Sequence, residues 1–137
     1  MNHTKVKIFV FPATVLMIFL LLSGCGGGYG KELKFNGGQL FYTTAISKDI
    51  AERLGNYLVK SGLFNGDLKT VQLNKSGSTF EFRLVIKKGI EQDQEYIQTC
   101  KIFCRELSND VFNSAQVDIH LCDEQLKTIR VVVSSGG

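Results

Sequence analysis

Between Thr79 and Phe112 the hydrophobic period of the chain changes once, and that change dictates a two-layer fold. From Thr79 to Lys87, Phe80, Phe82, Leu84 and Ile86 alternate with Glu81 and Arg83, the period-2 pattern of a strand with one buried face. From about Asp93 to Phe112, Ile97, Cys100, Cys104, Leu107 and Val111 recur at spacings of three, four, three and four, the stripe of an amphipathic helix. A strand that is apolar on one side and a helix that is apolar on one stripe are stable only when they cover each other.

The rest of the chain repeats that logic on a smaller scale. Leu33 to Phe35 and Gln39 to Thr44 are β-like runs around Asn36-Gly37-Gly38, a hairpin signal. Ser47 is an N-cap for a helix to about Lys60, with Ile50, Leu54, Tyr57 and Leu58 on one stripe and Ser61-Gly62 closing it. Gly55 interrupts that helix at a cost of about 1 kcal/mol relative to Ala, so it either admits close approach to a sheet or leaves the helix locally weak. Thr70 to Asn74 and the strand at 79–87 are joined by Lys75-Ser76-Gly77-Ser78. After the second helix, Gln116 to Leu121 alternates and Asp123-Glu124-Gln125 turns into Lys127 to Val133. The expectation is an α+β two-layer sandwich: an antiparallel-rich sheet with both helices on one face, related to the split βαβ pattern. Gln72, Glu81, Arg83, Asp118 and His120 then share the other face, a polar surface open to solvent or to a partner.

The 137 residues leave room for one ordinary domain. The division expected is 1–24 as a removable signal, 25–32 as a modified cysteine with a Gly-rich tether, 33–133 as the domain and 134–137 as a frayed tail. Removing Lys5 and Lys7 with the signal reduces 16 basic residues to 14, against 13 acidic ones. No polybasic arm remains, which excludes nucleic-acid binding on electrostatic grounds.

The N-terminus is laid out for export. MNHTKVK carries two lysines and no acid, and Ile8 to Leu22 is a 15-residue uncharged run, the length of a secretory h-region and short of the roughly 20 residues a spanning helix needs. A retained anchor would have to count the 23 uncharged positions from Ile8 to Gly30, which include Pro12 and a glycine-rich end. Leu22-Ser23-Gly24-Cys25 resembles the lipobox of bacterial lipoproteins, over residues 1–25. That resemblance implies cleavage before Cys25, diacylglycerol on its sulfur and an acylated (palmitate-type) amino group. Several acyl chains hold a protein on a membrane firmly, at about 0.8 kcal/mol per buried CH₂. Gly26 stands where the family's inner-membrane retention signal commonly has Asp, which leans toward the outer membrane in a host that has one. The expected location is therefore the cell membrane or outer membrane, with the domain exported.

The middle and end of the chain also resemble an uncharacterised bacterial domain associated with lipoprotein signals or membrane segments. Ala51 to Val59, Val71-Gln72-Leu73, Leu107 to Phe112 and His120-Leu121-Cys122-Asp123 carry that resemblance, across most of residues 38–130. It implies a recurring domain type and membrane association, with no activity assigned to any residue.

Several groupings could be read as chemistry. Cys100, Cys104 and Cys122, with His120 as a fourth ligand, could be a thiol or metal site, although the spacing is not the paired C-x₂-C of a zinc ribbon. The helical pair equally reads as core packing, since free cysteine is among the most buried residue types, and Cys122 could bridge one of them. With Cys25 modified, three thiols remain, so at most one internal disulfide closes. Asp118, His120 and Cys122 lie on one strand face, but residues two apart on a strand stand about 6.5 to 7 Å apart, too far for a nucleophile to bond its base. Asp49, Glu52, Glu91, Asp93 and Glu95 are explained by helix N-termini. No phosphate loop, H-E-x-x-H or G-x-S-x-G is present, so the sequence names no catalytic residue, metal ligand or cofactor. The leading expectation is a lipid-anchored envelope domain that binds a protein partner through its open sheet face, and the rival is the cysteine site.

Overall fold

The computed structural model describes residues 27–134. Six strands form one sheet in sequence order: β1 (Lys31–Phe35), β2 (Gly38–Tyr42), β3 (Lys69–Ser76), β4 (Thr79–Val85), β5 (Val117–Cys122) and β6 (Thr128–Val133). Helix α1 (Lys48–Lys60) connects β2 to β3, and α2 (Gln94–Asp110) connects β4 to β5. The α+β two-layer sandwich expected from the sequence is therefore what forms. Residues 1–24, Cys25, Gly26 and the tail beyond Ser134 lie outside the described residues.

Local chemistry explains the boundaries. Asn36 and Gly37 turn β1 into β2 with φ of 45° and 85°, the left-handed pair that matches the twist of a two-residue hairpin. The Ser47 side chain accepts from the Ile50 N–H at 3.3 Å to start α1. Asp93 does the same for α2, accepting from the amides of Glu95 and Tyr96.

One sheet face carries the core. Register places Leu40, Val71 and Leu84 in one row and Tyr42, Leu73, Phe82 and Ile119 in the next. Both helices pack there: Leu54 and Leu58 of α1 and Cys104 and Leu107 of α2 are buried in the same cluster. Phe103 of α2 meets Phe82 edge-on and lies tilted to Tyr57 of α1. Gly55 belongs to this layer, because a Cβ there would overlap the Phe35 ring. Its absence is what lets α1 lie close over β1.

The topology differs from a split βαβ arrangement. β2 and β3 are parallel and directly bonded, as are β4 and β5, while the other three pairings are antiparallel. No strand separates the members of either parallel pair. Both crossovers step in the same direction across the sheet, yet they start from antiparallel strands and both helices cover the same face. The two crossovers are therefore of opposite hand, and one has the hand that βαβ units rarely take.

Candidate functional site

The face opposite the helices gathers the polar residues. The register puts Gln72, Arg83 and His120 side by side on β3, β4 and β5, continuing to Val131 on β6. The next row is Asn74, Glu81, Asp118 and Val133. Strand alternation alone thus brings together all five residues expected on this face.

Within those rows the side chains bond one another more than they address solvent. Thr43 Oγ1 donates to Asn74 Oδ1 at 2.7 Å, and Asn74 Nδ2 donates to Glu81 Oε1 at 2.9 Å. Glu81 faces Arg83 Nη1 at 3.8 Å and His120 Nε2 at 3.9 Å. Arg83 Nη2 donates to Thr128 Oγ1 at 2.8 Å and to the Leu126 carbonyl at 3.1 Å. Only 20% of the Glu81 and Arg83 side chains and 13% of the His120 side chain is exposed. No buried side-chain nitrogen or oxygen among the described residues lacks a partner.

The network assigns the His120 tautomer. Thr128 Oγ1 lies 2.9 Å from His120 Nδ1 and can donate to it, while the Glu81 carboxylate stands 3.9 Å from Nε2. Arg83 Nη1 approaches Nδ1 at 3.4 Å. Nδ1 is therefore the acceptor, and the neutral ring carries its proton on Nε2, toward Glu81. Burial holds the His120 pKa below its ordinary value; the Arg83 charge adds to that effect, while Glu81 and Asp118 act against it.

Two of the five expected residues sit apart from this network. Gln72 is not presented to a partner: it is 8% exposed, and its Nε2 donates to the Tyr29 carbonyl at 2.8 Å. Asp118 accepts from Gln116 at 3.2 Å, at the rim. The face is therefore a half-buried charged centre with an accessible border rather than a freely solvated polar sheet.

Tyr29 also corrects the expected tether. Gly27–Tyr29 forms a 3₁₀ turn, the Tyr29 ring packs edge-on against Phe41 at 5.5 Å, and Gly30 turns into β1 with φ 96°. The chain is docked from Tyr29 onward, so the expected free stretch of 25–32 does not extend past Gly28.

The border beside β6 is apolar. Val131 and Val133 stand next to His120 and Asp118 and are 45% and 41% exposed. Ile129 is the extra residue where the β5–β6 register shifts between Leu121 and Cys122, a bulge at the start of an edge strand. At the end of the sheet away from Tyr29, Leu63, Leu68, Ile86, Tyr96 and Ile129, with Lys87 and Asp123, line an open groove of about 1190 Å³.

The cysteines do not form the rival site. Cys100 and Cys104 are buried in the helix-side core, whereas His120 and Cys122, two residues apart on β5, lie on the other sheet face. The sheet separates them. All three are free thiols, and no group of three or more His, Cys, Asp or Glu among the described residues is arranged to hold a metal. Burial pushes the Cys100 and Cys104 thiols up to about 11 and raises that of Cys122 as well. The Cys122 thiol donates to the His120 carbonyl at 3.3 Å, so it is neither ionised nor aimed at the imidazole.

Sequence reasoning missed Asn74, Thr128, the Leu126 carbonyl and Tyr29. Thr128 lies past the bulge and Asn74 needs the β3–β4 register, so neither carries a local signal. Among the described residues no helix is long and apolar enough to cross a membrane. The sequence model of one protein family, described as an AF_1994_N family N-terminal domain, matches residues 32–134. No curated protein and no solved structure matches the chain.

Proposed function

We propose, from the premise that the chain belongs to the AF_1994_N family N-terminal domain, that it is a lipid-anchored cell-envelope protein that holds a partner protein on its open sheet face. Cys25 is the attachment point in this reading, and the cell membrane or outer membrane is the site of action. The observation that carries the binding role is the contrast between the two sheet edges. β1 places Lys31, Glu32 and Lys34 at its exposed positions, the charge pattern that discourages strand addition. β6 begins with a bulge and carries Arg130, which folds back to donate to the Glu91 carbonyl at 2.8 Å, and beyond it offers Val131 and Val133 beside a preorganised Glu81–Arg83–His120 centre. An unpaired edge supplies main-chain donors and acceptors, alternate side chains supply specificity, and a charged centre that is already bonded needs little reordering on binding.

The test is site-specific photo-cross-linking in the native envelope from Val131, with Ile102 on the solvent side of α2 as the control position, since it is exposed to a similar degree at 50%. The expected result is a discrete adduct from Val131 that disappears when Asp118→Lys or Val133→Lys is added. Equal adducts from Ile102, or none from Val131, would remove the open face as the binding surface.

A further inference from the structure

Arg83 reaches across from β4 to hold the turn between β5 and β6. Asp123 organises that turn locally: its carboxylate accepts from the amides of Gln125 and Lys127 at 2.9 Å, and its own N–H donates to the Lys127 carbonyl. Leu126 sits in the turn with φ of 60°, a left-handed conformation that a bulky side chain rarely takes. Its carbonyl accepts from Arg83 Nη2 at 3.1 Å. The same Arg83 nitrogen bonds Thr128 Oγ1 at 2.8 Å, and Nη1 lies 3.4 Å from His120 Nδ1. One guanidinium thus joins the imidazole to the turn. Asp123, Glu124 and Gln125 of this turn, with Ile129 after it, line the groove at the end of the sheet.

We infer that His120 is a proton-operated latch: a proton taken up on Nδ1 drives Arg83 off the Leu126 carbonyl and frees the β5–β6 turn, and with it that side of the groove. The inference goes beyond partner binding and does not rest on the anchor. The neutral ring keeps its proton on Nε2, which faces the Glu81 carboxylate at 3.9 Å, so a second proton enters at Nδ1. Around the ring, β4 supplies Glu81 and Arg83, and β5 supplies Asp118, which accepts from Gln116. β6 supplies the Thr128 hydroxyl and Val131, while its Arg130 is turned away to the Glu91 carbonyl. Protonated Nδ1 would therefore set an N–H against the N–H groups of Arg83 and one positive charge against another. Thr128 can rotate its hydroxyl to accept, but a guanidinium has no acceptor. Because the guanidinium is a rigid plane, withdrawing Nη1 from the ring also moves Nη2 from Leu126. Glu81 Oε1, 3.8 Å from Nη1, gives the displaced charge a partner. Burial and the Arg83 charge hold the His120 pKa below its ordinary value of about 6.5, so the latch is closed at neutral pH and opens on acidification.

The experiment is residue-resolved amide hydrogen exchange by NMR on the full-length protein in detergent, from pH 7.5 to 4.5, with each rate divided by the intrinsic chemical rate at that pH. Protection at Asp123, Leu126 and Lys127 is expected to fall several-fold over this range while protection in α1 holds, the sign of local opening. The fall should share its midpoint with the titration of the His120 ring. His120→Gln is expected to keep the turn protected at pH 4.5. That variant retains Asp123, whose carboxylate titrates near about 3.9 in an unperturbed chain, so the difference from the parent isolates His120. Arg83→Lys, which cannot span both contacts, is expected to lower protection of the turn at every pH. An equal fall in the parent and His120→Gln, a fall shared by α1, a midpoint apart from the ring titration, or an Arg83→Lys turn as protected as the parent's at pH 7.5 overturns the latch.

Discussion

His120 is held neutral because its ring is mostly buried and Arg83 points at the nitrogen that would otherwise accept a proton. Glu81 and Asp118 pull the other way, and burial with Arg83 outweighs them. A base whose folded pKa is depressed binds fewer protons folded than unfolded, so stability rises with pH across that window. The folded protein is therefore expected to be fully stabilised with respect to His120 above the unfolded value of about 6.5, and to lose stability as pH falls from there through the folded pKa. Denaturant unfolding at pH 7.5 and 5.5 checks this: His120→Gln should flatten the difference between the two pH values relative to the parent. An unchanged pH response in the variant would mean that other groups set it. At this scale the sequence spoke unevenly. The helical spacing of Cys100 and Cys104 announced burial, since it follows the same stripe as Ile97 and Leu107. Alternation put Glu81 and Arg83 on the face of His120, but their meeting with it depends on the β4–β5 register, and Thr128, which reaches it beside a bulge, carried no local signal.

Gly55 marks where an element yields its own propensity to the packing of another. Alanine there should improve α1 by about 1 kcal/mol in isolation, but a Cβ would overlap the Phe35 ring of β1, and overpacking costs about 1 to 3 kcal/mol. Gly55→Ala is expected to destabilise the parent and to stabilise a Phe35→Ala background, a sign reversal that a double-mutant cycle on unfolding free energies reads directly. The two readings offered by the sequence, close approach or a weak helix, are thereby separated in favour of close approach. Boundaries were legible wherever a cap or turn residue fixed them: Ser47 and Ser61 bracket α1, and Asn36-Gly37 sets the first hairpin. They were not legible at Gly27–Tyr29, where composition suggests a leash. One aromatic contact and one amide hydrogen bond dock that segment instead.

For the whole molecule, the two-layer class followed from periods of 2 and 3.6, and these say nothing of strand order. A split and an unsplit βαβ unit present the same alternation, so the direct pairing of β2 with β3 and of β4 with β5 could not be read from pattern. The opposite hands of the two crossovers were equally hidden, since they depend on which way each connection steps across the sheet. The proposal of anchoring and partner binding lies at this scale: a domain with a preorganised face bordered by the exposed valines of β6, held at a membrane through Cys25. The measurement that tests it most directly is the intact mass of membrane-extracted protein beside a Cys25→Ser variant, after a thiol-blocking reagent is applied to the folded and to the denatured chain. The account predicts a polypeptide beginning at Cys25 with added acyl mass, absent in the variant. It also predicts three cysteines that take up the reagent only after denaturation, as burial and thiols raised to about 11 at Cys100 and Cys104 require. A full-length chain without lipid would contradict it.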